Sequence, residues 1–187
     1  MQRLASILIL TAVLALPLDA RGSGLFPDLT VNTGLTPARA EYLGISTPAV
    51  SFRLSDIKAR YLFVNVFSLY CAPCQKDAPR LNEMFHMAQR AGLGDEVKFL
   101  GIAAGNTQRE VELWREKFAP PFPLVRDEDY AMHAAIGGVG TPFFALARID
   151  GPDRLTLLLA REGAFDDPEV FFREMLDLMG HSVAADR

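Results

Sequence analysis

The two cysteines of this 187-residue chain stand three positions apart, in Cys71-Ala72-Pro73-Cys74, and there are no others. An apolar, β-branched run ends just before them and a helical pattern follows. A thiol at such a junction sits against the unpaired N–H groups and positive dipole end of the helix. That environment favours the thiolate and lowers its pKa below about 8.5. The second cysteine lies about one helical turn deeper and can reach back to the first. Residue type and spacing therefore suit a dithiol/disulfide switch. A structural staple is a poor account, because closing so short a loop removes only roughly 2 kcal/mol of unfolded-state freedom, against about 3 for a fifteen-residue loop. A zinc site wants four ligands, yet there is no second C-x-x-C, and His86, His133 and His181 are scattered without H-x3–5-H spacing.

The elements that must position this pair are legible on both sides of it. Tyr61 to Ser68 reads as a central strand covered on both faces, with Asn65 its one polar interior residue. From Pro73 to about Arg90 the spacing of Leu81, Met84, Phe85 and Ala88 is helical, and Pro79 predicts a kink by removing one backbone hydrogen bond. Glu96 to Ala103 is a second buried strand. Thr107-Gln108-Arg109-Glu110 is a capping box opening a helix to about Phe118, and Ala119-Pro120-Pro121-Phe122-Pro123 stops it. A short strand at Leu124-Val125 and a short helix over 129–136 follow. Gly137-Gly138-Val139-Gly140-Thr141-Pro142 is a flexible turn into a strand from Phe143 to Ile149. Asp150-Gly151 turns the chain into a returning strand, Arg154 to Arg161, and Asp167-Pro168-Glu169 caps a last helix to about Met179. Met84, Phe85, Met132, Phe171, Phe172 and Met175 are expected in the core, with Trp114 packing its helix on the sheet. Parallel βαβ units followed by an antiparallel hairpin imply a mixed sheet flanked by helices.

Half of the residues are hydrophobic, 22% are charged, and the net charge is -4. This is the composition of one globular domain with a sizeable core, and with no basic cluster it argues against nucleic acid as a partner. Residues 1–22 read as a signal peptide. Arg3 supplies the positive start, Leu4 to Leu16 the apolar run, Pro17 the break and Ala20, Gly22, Ser23 and Gly24 the small residues, with cleavage between 20 and 24. The thirteen-residue run falls short of the about twenty needed to span a bilayer. The cleavage region holds no cysteine, which excludes a bacterial lipid anchor; an uncleaved amino-terminal anchor is the alternative. Residues 23–50 form an extension expected to wrap the surface, with one short helix from Thr36 to Leu43 stopped by Gly44. Phe52-Arg53-Leu54 reads as a short edge strand and Ser55 to Lys58 as a turn. The domain itself covers 51–180 and a tail 181–187. Outside the cytosol a cysteine pair stays reduced only if a partner reduces it.

The motif, the order of elements and the Thr141-Pro142 step resemble the thioredoxin superfamily, and more narrowly the exported TlpA/ResA-type thiol-disulfide oxidoreductases. The resemblance covers roughly 50–180 and rests on the LSDIK turn, Asn in the strand before the cysteines, C-A-P-C-x-x-D-x-P, F-P-L-V, G-V-G-T-P and the I-D-G hairpin. Sixty-six residues separate Cys74 from Thr141, which fits an inserted βα unit between the C-x-x-C helix and the proline strand. The resemblance implies an α/β, thioredoxin-like fold, with Cys71 as the exposed nucleophile and Cys74 as the buried resolving thiol. It also implies a cis Pro142, with the backbone of Thr141 pairing with an extended substrate segment. Asp77 stands where ResA-type members carry an acidic residue that can take the proton of Cys74; a solvated first-turn carboxylate is the alternative. Asn65 replaces the buried aspartate of thioredoxins and is either a supporting residue or one that merely satisfies backbone groups. Tyr70 stands where tryptophan is usual and is an aromatic substrate contact. Ala72 and Pro73 offer no histidine between the cysteines, which argues against a strong oxidant.

The function this implies is disulfide exchange with client proteins, in the reducing direction, with cytochrome c maturation as the family-level expectation. The disulfide Cys71–Cys74 would be the only redox group, with no cofactor and no metal. The implied partners are a client with a disulfide or thiol pair and a membrane thiol donor of the DsbD/CcdA type, and the implied place is the bacterial periplasm or the outer face of the membrane. A DsbA-like oxidase is the nearest alternative. A peroxiredoxin-like peroxidase lacks the T-x-x-C context here, and a copper metallochaperone of the SCO type would need C-x-x-x-C and a histidine, for which His133 is the only candidate.

Overall fold

The computed structural model describes residues 24–32, 35–46 and 51–181. Its centre is β4 (Tyr61–Phe67), of which every residue is buried. A strand apolar on both faces must be covered on both, and β4 divides two cores. Tyr61, Phe63 and Phe67 face one, with α2 (Ala72–Arg90), α3 (Gln108–Phe118) and α5 (Pro168–Met179). Leu62, Val64 and Val66 face the other, with α1 (Pro37–Leu43) and α4 (Ala131–Ile136). The six-stranded sheet runs β1-β8-β7-β4-β5-β6, where β5 is Val97–Ala104, β6 Leu124–Asp127, β7 Phe143–Gly151, β8 Arg154–Glu162 and β1 Leu25–Phe26. The strands β4, β5 and β6 are parallel, whereas β7 is antiparallel to β4. This is the expected mixed sheet, with β5, α3, β6 and α4 lying between α2 and β7.

Local sequence accounts for most boundaries. The capping box of α3 is reciprocal: Thr107 accepts the Glu110 N–H while the Glu110 carboxylate accepts the Thr107 N–H. Trp114 lies 4.4 Å from Phe67, centroid to centroid, and ties α3 to the sheet. Pro79 sits inside α2, which continues through it over 19 residues. The extension departs from expectation. Far from only wrapping the surface, it adds β1 to the edge of the main sheet, with Leu25 opposite Thr156. It also forms β2 (Thr30–Val31) against β3 (Phe52–Arg53). Two needs drive this: β8 would otherwise be an unpaired edge, and Phe26, Leu29 and Val31 bury apolar surface there. A 3-10 turn at Leu54–Asp56 replaces the end of the expected edge strand. The expected signal peptide, residues 1–22, lies outside the described residues, among which no helix is long and apolar enough to cross a membrane.

Candidate active site

β4 delivers the chain to the C-terminal edge of the sheet, and Ser68-Leu69-Tyr70 carries it into α2. Cys71 is the N-cap of that helix and is bonded to Cys74, with Cα atoms 5.2 Å apart. The Cys74 N–H points at the Cys71 sulfur at 3.2 Å, so a first-turn donor of the helix is spent on sulfur. Pro73 fills a first-turn position where a missing N–H leaves no intrahelical bond unmade. Cys71 is half-buried, whereas Cys74 is 2% exposed. The first cysteine is partly open to solvent and the second is not.

Three groups hold the turn before Cys71. Buried Asn106, 1% exposed, accepts the Leu69 N–H at 2.8 Å and donates to Ser68 Oγ at 3.3 Å. Gln75 donates to the Leu69 carbonyl at 2.8 Å and is itself held by Lys117. The Tyr70 hydroxyl donates to Glu110, whose charge and hydrogen bond raise the phenol above its ordinary value and lower the carboxyl in return. Tyr70 is 75% exposed beside the disulfide. Asn106 was not anticipated, and its only local signal is an asparagine just past the C-terminal end of a buried parallel strand, where such sheets present site residues.

The Thr141–Pro142 peptide is cis, and the Thr141 carbonyl oxygen stands 3.3 Å from Cys71 Sγ. Cys71, Tyr70, Thr141 and Pro142 thus converge on one rim. Asp77 lies elsewhere around α2, one helical turn beyond Cys74, a spacing that puts Cβ atoms about 5–6 Å apart. It is 0% exposed, which excludes a solvated first-turn carboxylate. Its oxygens take Arg80 Nη1 at 2.9 Å and the Phe165 N–H at 3.4 Å. Burial raises its pKa, against the opposing pull of Arg80 and that N–H. Asn65 donates to the Val66 and Phe143 carbonyls at 3.5 and 3.4 Å, so its amide is occupied with backbone of β4 and β7. His133 Nε2 is 2.7 Å from the Val139 carbonyl, and no cluster of three metal-ligating side chains occurs among the described residues.

A cysteine pair at a helix N-terminus, faced by a cis-proline loop across a mixed sheet with helices on both sides, defines a thioredoxin-like protein with a C-x-x-C disulfide. The AhpC/TSA family pattern matches residues 27–165, and the chain belongs to that family. The thiol-disulfide oxidoreductase ResA of Geobacillus thermodenitrificans is 31% identical over 93 residues, covering 49% of this chain and 51% of that protein. ResA of Bacillus anthracis is 26% identical over 98 residues, 52% of this chain and 54% of its own length. The chain thus spans about half the length of the curated relatives it matches. Two solved structures share the fold. A Chlorobium tepidum protein named as a thiol:disulfide interchange protein DsbE superposes with TM-score 0.64 at 17% identity, covering 86% of this chain and 98% of its own. StoA of Bacillus subtilis gives 0.54 at 15%, covering 82% and 97%.

Proposed function

We propose that this protein is an exported thiol-disulfide oxidoreductase that reduces disulfides in client proteins. The observation that carries the reading is the asymmetry of the pair: a reachable Cys71 at the helix N-terminus and a covered Cys74 within bonding distance. In the dithiol form the Cys71 thiolate attacks a client disulfide, forming a mixed disulfide and releasing one client thiolate. The Cys74 thiolate then attacks Cys71 Sγ, releasing the second client sulfur and leaving the protein oxidised. Two electrons pass to the client, and a membrane thiol donor of the DsbD/CcdA type returns them. Asp77 accepts the Cys74 proton as it attacks, a role supported by its burial and raised pKa. Tyr70 and the backbone of Thr141 receive the client segment.

The reducing direction is supported by the absence of a histidine between the cysteines and by the ResA relatives; export is supported by the leader-like composition of residues 1–22. The test is the reduction potential of the Cys71/Cys74 pair, expected well below the about −120 mV of a strong oxidant such as DsbA. A value near that one would make the protein an oxidase. The AhpC/TSA match raises a second reading, a peroxidase. Peroxide consumption that persists in Cys74→Ser would favour it, and none is expected.

A further inference from the structure

The segment from Gly137 to Pro142 contains three glycines, two of them at positive φ, and by composition is free to wander. It nevertheless presents Thr141 at a fixed place beside Cys71. Two side chains from outside the segment hold it. His133, on α4, donates through Nε2 to the Val139 carbonyl at 2.7 Å. The backbone of α4 is in turn anchored to the end of β6, where buried Asp127 accepts the Met132 and His133 N–H groups at 2.9 and 2.8 Å. From the other side Glu162, the last residue of β8, accepts the Gly140 N–H at 2.7 Å. Any side chain at Gly140 would meet that carboxylate. The next residue, Gly163, donates to the Pro142 carbonyl at 2.8 Å.

The Val139 carbonyl and Gly140 N–H before Thr141, and the Pro142 carbonyl after it, are therefore engaged by the fold, while the N–H and carbonyl of Thr141 have no backbone partner among the described residues. We propose that Glu162 and His133 are positioning residues for client selection. By fixing Val139 and Gly140 they hold the Thr141 N–H and carbonyl free of backbone partners next to Cys71. A client segment can then form two strand-like hydrogen bonds as its sulfur comes within reach of Cys71. Without the two pins the stretch between the α4 cap, where the Gly137 and Gly138 N–H groups stay bonded, and the Gly163–Pro142 bond relaxes, and each encounter must order it again. The proposal rests on the thiol-disulfide exchange reading above. It predicts that the pins matter for a disulfide carried on a polypeptide more than for one without a backbone.

The experiment compares the dithiol form of the full chain on two disulfides, insulin and bis(2-hydroxyethyl) disulfide, and reads the ratio of the two rate constants. Glu162→Ala is expected to lower that ratio about fivefold, the order of one net hydrogen bond. Glu162→Gln keeps an oxygen acceptor for Gly140 and should restore the ratio to within about twofold of the starting protein. His133→Ala breaks the other pin independently and should shift the ratio the same way, which covers a Glu162→Ala protein that fails to fold. A ratio within about twofold of the starting protein in the alanine variants, or a Glu162→Gln protein as poor as Glu162→Ala, overturns the proposal. A starting protein that reduces neither disulfide overturns the exchange reading and this proposal with it, whereas an active one with an unmoved ratio overturns this proposal alone.

Discussion

Asp77 offers the sharpest test of how the fold supports the chemistry, through the pair of substitutions Asp77→Ala and Asp77→Asn. The carboxylate is 0% exposed and takes Arg80 at 2.9 Å and the Phe165 N–H at 3.4 Å. Alanine leaves that N–H buried without an acceptor, at a cost of about 1–3 kcal/mol. Arg80 keeps only the Phe165 carbonyl, at 3.1 Å. Asparagine is nearly isosteric and keeps one oxygen, which can serve the Phe165 N–H, but it gives up the charge and the second acceptor that now faces Arg80. Asp77→Ala should therefore be the less stable by about 1–3 kcal/mol, with each kcal/mol worth about 2–4 °C in Tm for a chain of this size.

The pH dependence has a definite sign. Burial, the leading influence, puts the folded-state pKa of Asp77 above its ordinary value of 3.8. The fold thus favours the protonated carboxyl, and the stability linked to it is complete below that ordinary value and lost as pH rises through the folded pKa. Asparagine does not ionise and loses nothing over that window. Thermal unfolding of the oxidised proteins between pH 3 and pH 7 should show the native chain losing ground to Asp77→Asn as pH rises. The opposite trend would mean that the Arg80 pair outweighs desolvation. Equal melting of the alanine and asparagine proteins would mean that the Phe165 bond contributes nothing. In single turnover, Asp77→Asn should slow release of the mixed disulfide by on the order of a hundredfold while its formation is little changed; two unaltered steps would remove Asp77 from the mechanism.

Cys74→Ser should accumulate a mixed disulfide at Cys71 with client proteins, visible on non-reducing gels and absent in the Cys71→Ser, Cys74→Ser double variant. Asn106→Ala strips the Leu69 N–H of its acceptor at 2.8 Å and should cost about 1–3 kcal/mol in urea unfolding; a loss under about 0.5 kcal/mol would show the turn before Cys71 to be held by other groups. Glu110→Gln replaces the carboxylate whose hydrogen bond and charge raise the Tyr70 phenol, so alkaline absorbance titration should find that phenol lowered toward 10.0. Tyr70→Phe assigns the signal by deleting it.

Local pattern made the frame readable. The unbroken apolar run of β4, the Thr107–Glu110 box and the Asp150-Gly151 turn each state their geometry within a few residues, and the cysteine pair falls at the N-cap because those neighbours fix where α2 begins. What stayed hidden depends on distant chain. The two residues of β1 carry no periodicity, and only the free edge of β8 explains their pairing. Asn106 reaches Leu69 because parallel register sets Phe67 beside Ala103, a fact no window around either residue contains. Asp77 admitted two readings until Phe165, from the segment leading into α5, supplied its buried partner. Glu162 and Gly140 meet only because β8 returns along β7.

Asn65 stands where the resemblance implies a strand carboxylate, and on the proposed mechanism this moves proton acceptance to another group. The Asn65 amide donates to two carbonyls and has no proton-accepting role in that posture, so the buried acid nearest in sequence to Cys74 is on its own helix. A helix-borne acceptor keeps a fixed offset from Cys74, because backbone geometry joins them. Its readiness to take a proton, however, is set by Arg80 and the Phe165 N–H, and Arg80 also holds the Phe165 carbonyl. Docking of the segment before α5 therefore tunes the acid as well as covering it. Loosening that segment would lower the Asp77 pKa by admitting water and would remove the N–H that opposes burial, two effects of contrary sign. Desolvation is the larger influence, so the net result is a stronger acid and a poorer acceptor. On the mechanism proposed above, the resolving step would therefore slow as the segment around Phe165, 88 positions from Asp77 in sequence, loosens from α2.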